Sequence, residues 1–242
     1  MQITAIRLDR LSMPLDPPFA AAWDPRPRRH ADAVIVRVET DEGVVGVGSG
    51  DTMAGLDGRE HLFVGRDPLQ VQRHVRTIES INFHGGRCWP LEVALWDIVG
   101  QVTGVPVATL FGGALDRVPA YASCGSLLAP RERAESAVAL REEGFRALKV
   151  RIDRRRPDFK HRAFTPHTWT NGVGLLANLH VVAGIGGGPF LEFPYDPPGW
   201  TPQRRDFMLT EPVRIDADGC VPVPPGIGAE LDLDALNRWR VT

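Results

Sequence analysis

The chain has 242 residues, which is enough for one large domain or two modest ones. Its hydrophobic content of 43% and charged content of 24% are ordinary for a globular protein. A net charge of −2 gives no electrostatic case for nucleic acid or an anionic membrane as a partner, and no apolar run approaches the roughly 20 residues of a membrane-spanning helix.

The three cysteines, Cys88, Cys124 and Cys220, are too far apart for a CxxC metal motif, and their odd number does not suit a disulfide framework. The first seven residues alternate like a strand and lack the apolar core of a signal peptide. We therefore expect a reducing, cytoplasmic location.

The first 50 residues are predicted to form an antiparallel meander. Residues 3–11 alternate between apolar and polar side chains, residues 33–40 are predicted to form a second strand, and residues 44–48 return after a turn.

The segment from Pro14 to His30 lies between the first two predicted strands and contains five prolines. It is too long for a simple hairpin loop, and long loops in compact domains are often lids over functional sites. We expect it to be such a loop, with Trp23 within it.

Residues 57–112 are predicted to be largely helical. Asp67-Pro68 is a helix start signal ahead of residues 69–75. Between Leu91 and Val99 the apolar residues recur at helical spacing, and Gly104 is expected to end that helix.

Helix and strand then alternate in a way that is typical of a parallel sheet. The predicted elements are a helix over 131–143, a strand over 145–152, a helix over 172–183 and a strand over 189–193. The tail from Phe207 is predicted to form polar-flanked strands and then an Asp-capped helix from Leu233.

Lys149 and Arg151 are the first candidates for chemistry. A strand has a period of two, so both side chains point to one face while Val150 points to the other. In a barrel this places two cations in the interior, where an anionic ligand could neutralise them. The alternative is an edge strand with solvated cations, and spacing alone favours that alternative.

His167 and Glu192 are the next candidates. His167 follows Pro166 at a predicted strand end, and neutral imidazole near pH 7 suits a general base. Glu192 lies in an apolar strand, where burial would raise the pKa of its carboxyl and allow it to donate a hydrogen bond. A half-exposed strand with Glu192 facing water is equally compatible with the sequence.

Other signals are weak. Gly184 to Gly188 follows a helix and opens a strand, which is the reverse of a dinucleotide-binding loop. Glu92 and Asp97 are helical carboxylates that we expect to form ion pairs.

Together these residues resemble the mandelate racemase and muconate lactonizing enzyme family of the enolase superfamily. The run from Ala94 to Gly100, continuing through Gly104 to Val107 and ending at Leu110-Phe111-Gly112-Gly113, is similar to a family signature. The run from His167 to Gly172 is similar to members that act on acid sugars.

The resemblance implies an α+β capping domain, an antiparallel meander plus helices, joined to an α/β barrel of the TIM type. It assigns residues 1–118 to the cap, 119–200 to the barrel and 201–242 to a C-terminal segment that returns to the cap.

The resemblance also implies roles for individual residues. Lys149 matches the lysine that neutralises the substrate carboxylate, His167 matches the base on the seventh strand, and Glu192 matches the eighth-strand acid that hydrogen-bonds the enediolate. Arg151 stands where many members have a second lysine as base. The implied substrate contacts are Trp23, Lys149, Arg151, Trp169 and Asn171.

Arg151 departs from the family pattern with a chemical consequence. A guanidinium does not release its proton at working pH, so His167 is the one remaining base. Racemisation needs a base on each face of the α-carbon, whereas elimination of water needs one. An ancestor that dehydrated a small sugar acid is therefore favoured over a racemase, epimerase or cycloisomerase of the same family.

The second departure concerns the metal. Family members bind Mg²⁺, which stabilises the enediolate, through carboxylates on the third to fifth barrel strands. Arg151 and His167 are separated by residues 152–166 alone, and a complete barrel takes about 250 residues. We expect strands two to six to be absent, through an internal deletion or a faulty gene model, and expect no metal ligands and no bound Mg²⁺.

Three hypotheses follow. The first is a remnant of a dehydratase-type fold that is inactive in this chain. The second is a non-catalytic protein whose cap survives as a folded module and joins oligomers of intact relatives or homo-oligomers. The third is an enzyme assembled by pairing of open barrel edges between chains.

Overall fold

The computed structural model describes residues 1–151 and 169–241. The N-terminal region is a three-stranded antiparallel sheet in the order β1 (Ile3–Phe19), β2 (Arg28–Thr40) and β3 (Val45–Gly50), which confirms the predicted meander. Other parts of the chain cover both faces of this sheet. Alternate residues of β2, such as Val34 and Val36, pack toward the helices of the same region, and Ile35 packs toward the second half of the chain.

The segment from Pro14 to His30 is not one long loop. Strand β1 continues to Phe19 and β2 begins at Arg28, so only residues 20–27 connect them. Because β1 lies at the edge of its sheet, prolines are tolerated in it. Leu15 and Phe19 are buried against Trp200, which holds this extension in place.

The helices α1 (Val71–Phe83) and α2 (Trp89–Thr103) follow, with the second ending at Gly104 in the left-handed conformation, as predicted. α2 lies directly on β3. A Cβ atom on Gly48 would lie 2.0 Å from the carbonyl oxygen of Pro90, so this close approach requires glycine.

The second sheet has three parallel strands in the order β5 (Ala147–Lys149), β4 (Arg117–Ser123) and β6 (Leu191–Pro194). β5 is shorter than predicted, and its predicted end at Ile152 lies outside the described residues. An antiparallel strand, β7 (Cys220–Pro222), pairs with the start of β4. The sequence analysis missed β4, because Pro119 and its small side chains weaken the strand pattern.

Three helices cover this sheet and its border with the cap: α3 (Val107–Leu110), α4 (Pro130–Glu142) and α5 (Gly172–Ile185). An incomplete barrel would leave apolar side chains at Val150, Phe190 and Leu175-Leu176 without partners. Val150 is exposed, but Leu175 and Leu176 are buried, because α5 packs between β3 and the parallel strands. No helix in the described ranges is long and apolar enough to span a membrane.

The C-terminal segment contains α6 (Pro202–Arg205) and α7 (Leu233–Trp239), the latter capped by Asp232 as predicted. It returns to the cap, where the buried carboxylate of Asp9 binds Arg37 at 2.9 Å and Arg240 at 2.5 Å. The division into 1–118, 119–200 and 201–242 remains a prediction.

Asp97 does not form the expected ion pair with any residue that the structure describes. Its buried carboxylate accepts hydrogen bonds from the backbone N–H groups of Val47 at 2.9 Å and Ile227 at 3.0 Å, and from the Gln101 side chain. Burial raises the pKa of Asp97. The residue therefore joins the cap sheet to the C-terminal segment.

His180 on α5 is fully buried and makes a similar connection. Its Nδ1 accepts from the N–H of Ala108 at 3.1 Å, and its Nε2 lies 3.3 Å from the carbonyl oxygen of Ile227. These partners fix the neutral tautomer with the proton on Nε2. Burial lowers the pKa of His180 from 6.5 to about 4.

We expect the stability of the His180→Leu variant to fall less at acidic pH than the stability of the parent protein does. A histidine whose folded pKa is lowered stabilises the fold fully above pH 6.5, and this contribution is lost as the pH falls toward 4. The loss is about 1.4 kcal/mol per pH unit across that window. Urea unfolding at pH 7.5, 6 and 5 measures the free energy of unfolding of both proteins. If this free energy changes equally with pH in both, His180 is not the group responsible.

Candidate functional site

The predicted site residues of the parallel sheet lie on one face. In the strand register Ser123 is opposite Lys149, and Tyr121 is opposite Glu192, so the four side chains point to the same side. The alternate residues, such as Ala122 and Phe193, point the other way into the core under the helices. The sheet therefore has an apolar outer face and a polar inner face, as a barrel wall has.

Glu192 is completely buried, which decides between the two alternatives that the sequence left open. Its Oε1 accepts a hydrogen bond from the Ser123 hydroxyl at 2.7 Å and forms a salt bridge with the ammonium group of Lys149. The Ser123 oxygen in turn accepts the indole N–H of Trp169 at 2.9 Å. Trp169, Ser123, Glu192 and Lys149 thus form one connected polar group, which we call the inner-face cluster.

The two predicted cations differ in their surroundings. The Lys149 side chain is 29% exposed and its ammonium lies 5.7 Å from the centre of the Tyr121 ring. The Arg151 guanidinium lies 4.9 Å from the centre of the Trp23 ring, and its buried Nε has no hydrogen-bond partner within the described residues. An aromatic face therefore contributes to holding Arg151.

Trp23 and Trp169 belong to an aromatic cluster that covers the inner-face cluster. The rings of Phe19 and Trp169 are stacked at 5.7 Å, and Trp23 meets Trp169 edge to face at 4.8 Å. Trp200 completes the cluster at 5.9 Å from Trp169. The extension of β1 thus contributes directly to the site, through Phe19.

Asn171 has a structural position. Its Oδ1 accepts from the N–H groups of Val173 and Gly174 and caps α5, and its Nδ2 donates to the Ser49 hydroxyl at 2.6 Å. Asn171 therefore ties α5 to β3. Its predicted contact with a substrate remains untested.

His167, the predicted base, lies outside the described residues. Cys124 and Tyr195 follow β4 and β6 directly, and they were not among the sequence candidates. Burial raises the pKa of the Cys124 thiol to about 12, which makes it a poor nucleophile. Its Sγ donates to the carbonyl oxygen of Tyr195 at 3.7 Å.

The donor set of the inner-face cluster does not fit Mg²⁺. This ion takes six oxygen ligands, usually with more than one carboxylate or phosphate. Among the described residues of the cluster Glu192 supplies one carboxylate, and the Lys149 ammonium already neutralises it. Within residues 1–151 and 169–241, no three His, Cys, Asp or Glu side chains come together as a metal-binding group.

An antiparallel cap, a parallel sheet with helices on one side and polar groups at its carboxyl ends together define the fold of the enolase superfamily, with an incomplete barrel. The profile described as "Mandelate racemase / muconate lactonizing enzyme, N-terminal domain" matches residues 3–112. Residues 3–112 therefore resemble the N-terminal domain of the mandelate racemase and muconate lactonizing enzyme family.

Two curated relatives catalyse different reactions. The chain is 27% identical to the cis-3-hydroxy-L-proline dehydratase of Roseibium aggregatum over 166 residues, which are 63% of this chain and 45% of that protein. It is 32% identical to the D-galactarolactone cycloisomerase of Agrobacterium fabrum over 170 residues, 63% of this chain and 44% of that protein. The chain thus spans less than half the length of these relatives.

The fold is similar to that of D-glucarate dehydratase from Agrobacterium tumefaciens, whose crystal structure is complexed with magnesium. The TM-score is 0.74 at 16% identity, and the match covers 100% of both chains. At this identity the match shows the fold alone.

We expect Lys149→Met to destabilise the protein by about 3 to 5 kcal/mol, because it breaks the buried ion pair with the Glu192 carboxylate. Adding Glu192→Gln should recover most of that loss, because the neutral amide needs no counter-charge. Urea unfolding of the two single variants and the double variant measures the coupling. Arg131→Met, which breaks an exposed ion pair with Glu135, is the matched control and should leave the midpoint unchanged. If the losses of the two single variants simply add in the double variant, the ion pair contributes nothing to stability.

Proposed function

We propose that this chain is a non-catalytic member of its family, descended from a Mg²⁺-dependent dehydratase of small sugar acids. This proposal rests on the salt bridge between Lys149 and the buried Glu192. The family resemblance assigns Lys149 to a substrate carboxylate and Glu192 to the enediolate. In this chain the two groups neutralise each other.

A substrate carboxylate would have to compete with Glu192 for Lys149. Taking the ammonium away breaks a buried ion pair, which costs about 3 to 5 kcal/mol in typical cases. That cost corresponds to at least roughly a hundredfold loss of affinity. The pair therefore opposes the binding mode that the family chemistry requires.

The arrangement of Arg151 adds to the argument. Its guanidinium stays protonated at working pH, so it cannot serve as the second base. It lies against Trp23, where its charge can still attract an anion but cannot remove a proton. Racemase, epimerase and cycloisomerase activities are for this reason less favoured than a former dehydratase.

Magnesium is expected not to bind at the inner-face cluster. A divalent cation next to Glu192 would meet the Lys149 ammonium at close range, and the two like charges repel. When bound in an intact family member, the metal supplies the charge that stabilises an enediolate. We propose no reaction step through Mg²⁺ in this chain.

A second candidate function is that of a module that joins homo-oligomers. It is favoured by the sheet topology, in which β5 and β6 are the two outer strands of the described parallel sheet and pair only with β4. Edge strands of this kind can pair with another chain. We further propose a cytoplasmic location, and expect neither nucleic acid nor membrane as a partner.

Calorimetric titration with Mg²⁺ and deuterium exchange at the α-carbon of D-galactonate in heavy water test the proposal. We expect no saturable Mg²⁺ binding and no exchange above the rate without protein, because the cation site is closed by Lys149. The D-galactarolactone cycloisomerase of Agrobacterium fabrum, with its own substrate, is the control for the exchange assay. Micromolar Mg²⁺ binding together with exchange that His167→Asn abolishes would overturn the proposal.

A further inference from the structure

A cavity of about 660 Å³ lies within the cap, between α1, the short 3₁₀ turn Glu60–Leu62 and the loops that include Gly55 and Gly86. We call it the α1 cavity. Its volume falls within the range of small-molecule sites. None of its described lining residues belongs to the inner-face cluster or to the aromatic cluster that covers it. The following inference therefore does not depend on the proposed function.

Ile81 is the buried residue at the floor of the α1 cavity, and the loop after α1 approaches it very closely. A Cβ atom on Gly86 would lie 2.6 Å from Cγ2 of Ile81, so this approach requires glycine. The N–H of Arg87 donates to the carbonyl oxygen of Ala54 at 2.7 Å, which joins this loop to the one before the 3₁₀ turn. The fold thus shapes the cavity before a ligand binds.

Three polar side chains reach the α1 cavity from one stripe of α1 and its C-terminal end. Arg76, Ser80 and His84 are four residues apart, which places them one above another along the helix. Their side chains make no hydrogen bond or salt bridge with any residue that the structure describes. Their N–H and O–H groups are therefore available to an acceptor in the cavity.

Arg59 brings a second guanidinium to the α1 cavity from the loop before the 3₁₀ turn. Its Nη1 donates to the carbonyl oxygen of Gly55 at 2.8 Å, which orients the group and leaves its other N–H donors for a ligand. The described lining contains no aspartate or glutamate. Two permanent cations without a carboxylate in the described wall favour an anionic ligand.

The donors favour a phosphate group over a carboxylate. A phosphomonoester has a charge between about −1.5 and −2 at neutral pH and three strong acceptor oxygens, so it can engage two guanidiniums and a hydroxyl together. A carboxylate has one charge and two oxygens. The cavity is larger than a bare phosphate needs, and Leu62 and Ile81 offer apolar surface for an organic group.

We propose that the α1 cavity binds a small phosphomonoester. Arg59 and Arg76 hold the phosphate oxygens, the Ser80 hydroxyl donates to one of them, and the organic group lies against Leu62. This site belongs to the cap alone, whereas the family resemblance places the carboxylate of the substrate at Lys149 on the parallel sheet.

Calorimetric titration of the full chain with phenyl phosphate, at low salt and in a buffer free of phosphate, tests the proposal. We expect saturable binding with a Kd below about 1 mM. Benzoate has the same ring with a single carboxylate charge, and it should bind at least about fivefold more weakly. Inorganic phosphate should also bind more weakly than phenyl phosphate, because it leaves the apolar wall uncovered.

Arg76→Met keeps an unbranched side chain and removes the guanidinium, and it should weaken phenyl phosphate binding about tenfold. Arg73→Met is the matched control. Arg73 lies on the same helix with the same charge, but it donates to Gln70 and does not line the α1 cavity, so this variant should bind as the parent protein does. Ser80→Ala provides a second test, with a loss of about threefold. Thermal unfolding checks that each variant is folded.

Three results would overturn the proposal. The first is the absence of saturable phenyl phosphate binding by the parent protein. The second is binding of benzoate or inorganic phosphate as tight as that of phenyl phosphate. The third is an equal loss of affinity in Arg73→Met and Arg76→Met, because this would indicate attraction to the overall charge of α1 and not to the cavity.

Discussion

Burial of one face of the parallel sheet under helices sets the position of every candidate group in this sheet. Because side chains alternate along β4, β5 and β6, placing Ala122 and Phe193 in the core forces Ser123, Lys149 and Glu192 onto the opposite face. α5 makes this burial possible, since it packs against β3 of the cap as well as against the parallel strands. The cap and the partial barrel thus share one hydrophobic core, which includes Ile35 and Val47 of the cap.

The inner face then has to satisfy a carboxylate that is completely buried. Glu192 is stabilised by Ser123 and Lys149, and Trp169 extends the hydrogen bonding. The family resemblance assigns the lysine at this position to the substrate carboxylate. The same electrostatic requirement that keeps Glu192 in the core therefore works against catalysis, and it links the stability of the partial barrel to the proposed loss of the family reaction.

Local patterns predicted much of the architecture. The meander, the end of α2 at Gly104 and the Asp232 cap of α7 follow from alternation, from a left-handed glycine and from a side-chain acceptor, all of which act within a few residues. β4 and the extension of β1 to Phe19 were missed, because both contain prolines and small residues. Their strand conformation depends on partners distant in sequence, namely Leu191 and Trp200.

The sequence by itself determined the family resemblance, the cap and the candidates Lys149, Arg151 and Glu192, because motifs and strand periodicity are local properties. The tertiary structure decided that Lys149 neutralises Glu192, 43 residues away, and that Asp97 binds backbone N–H groups. These outcomes depend on which side chains meet in space and on what burial excludes from water. Neither follows from the order of residues along one segment.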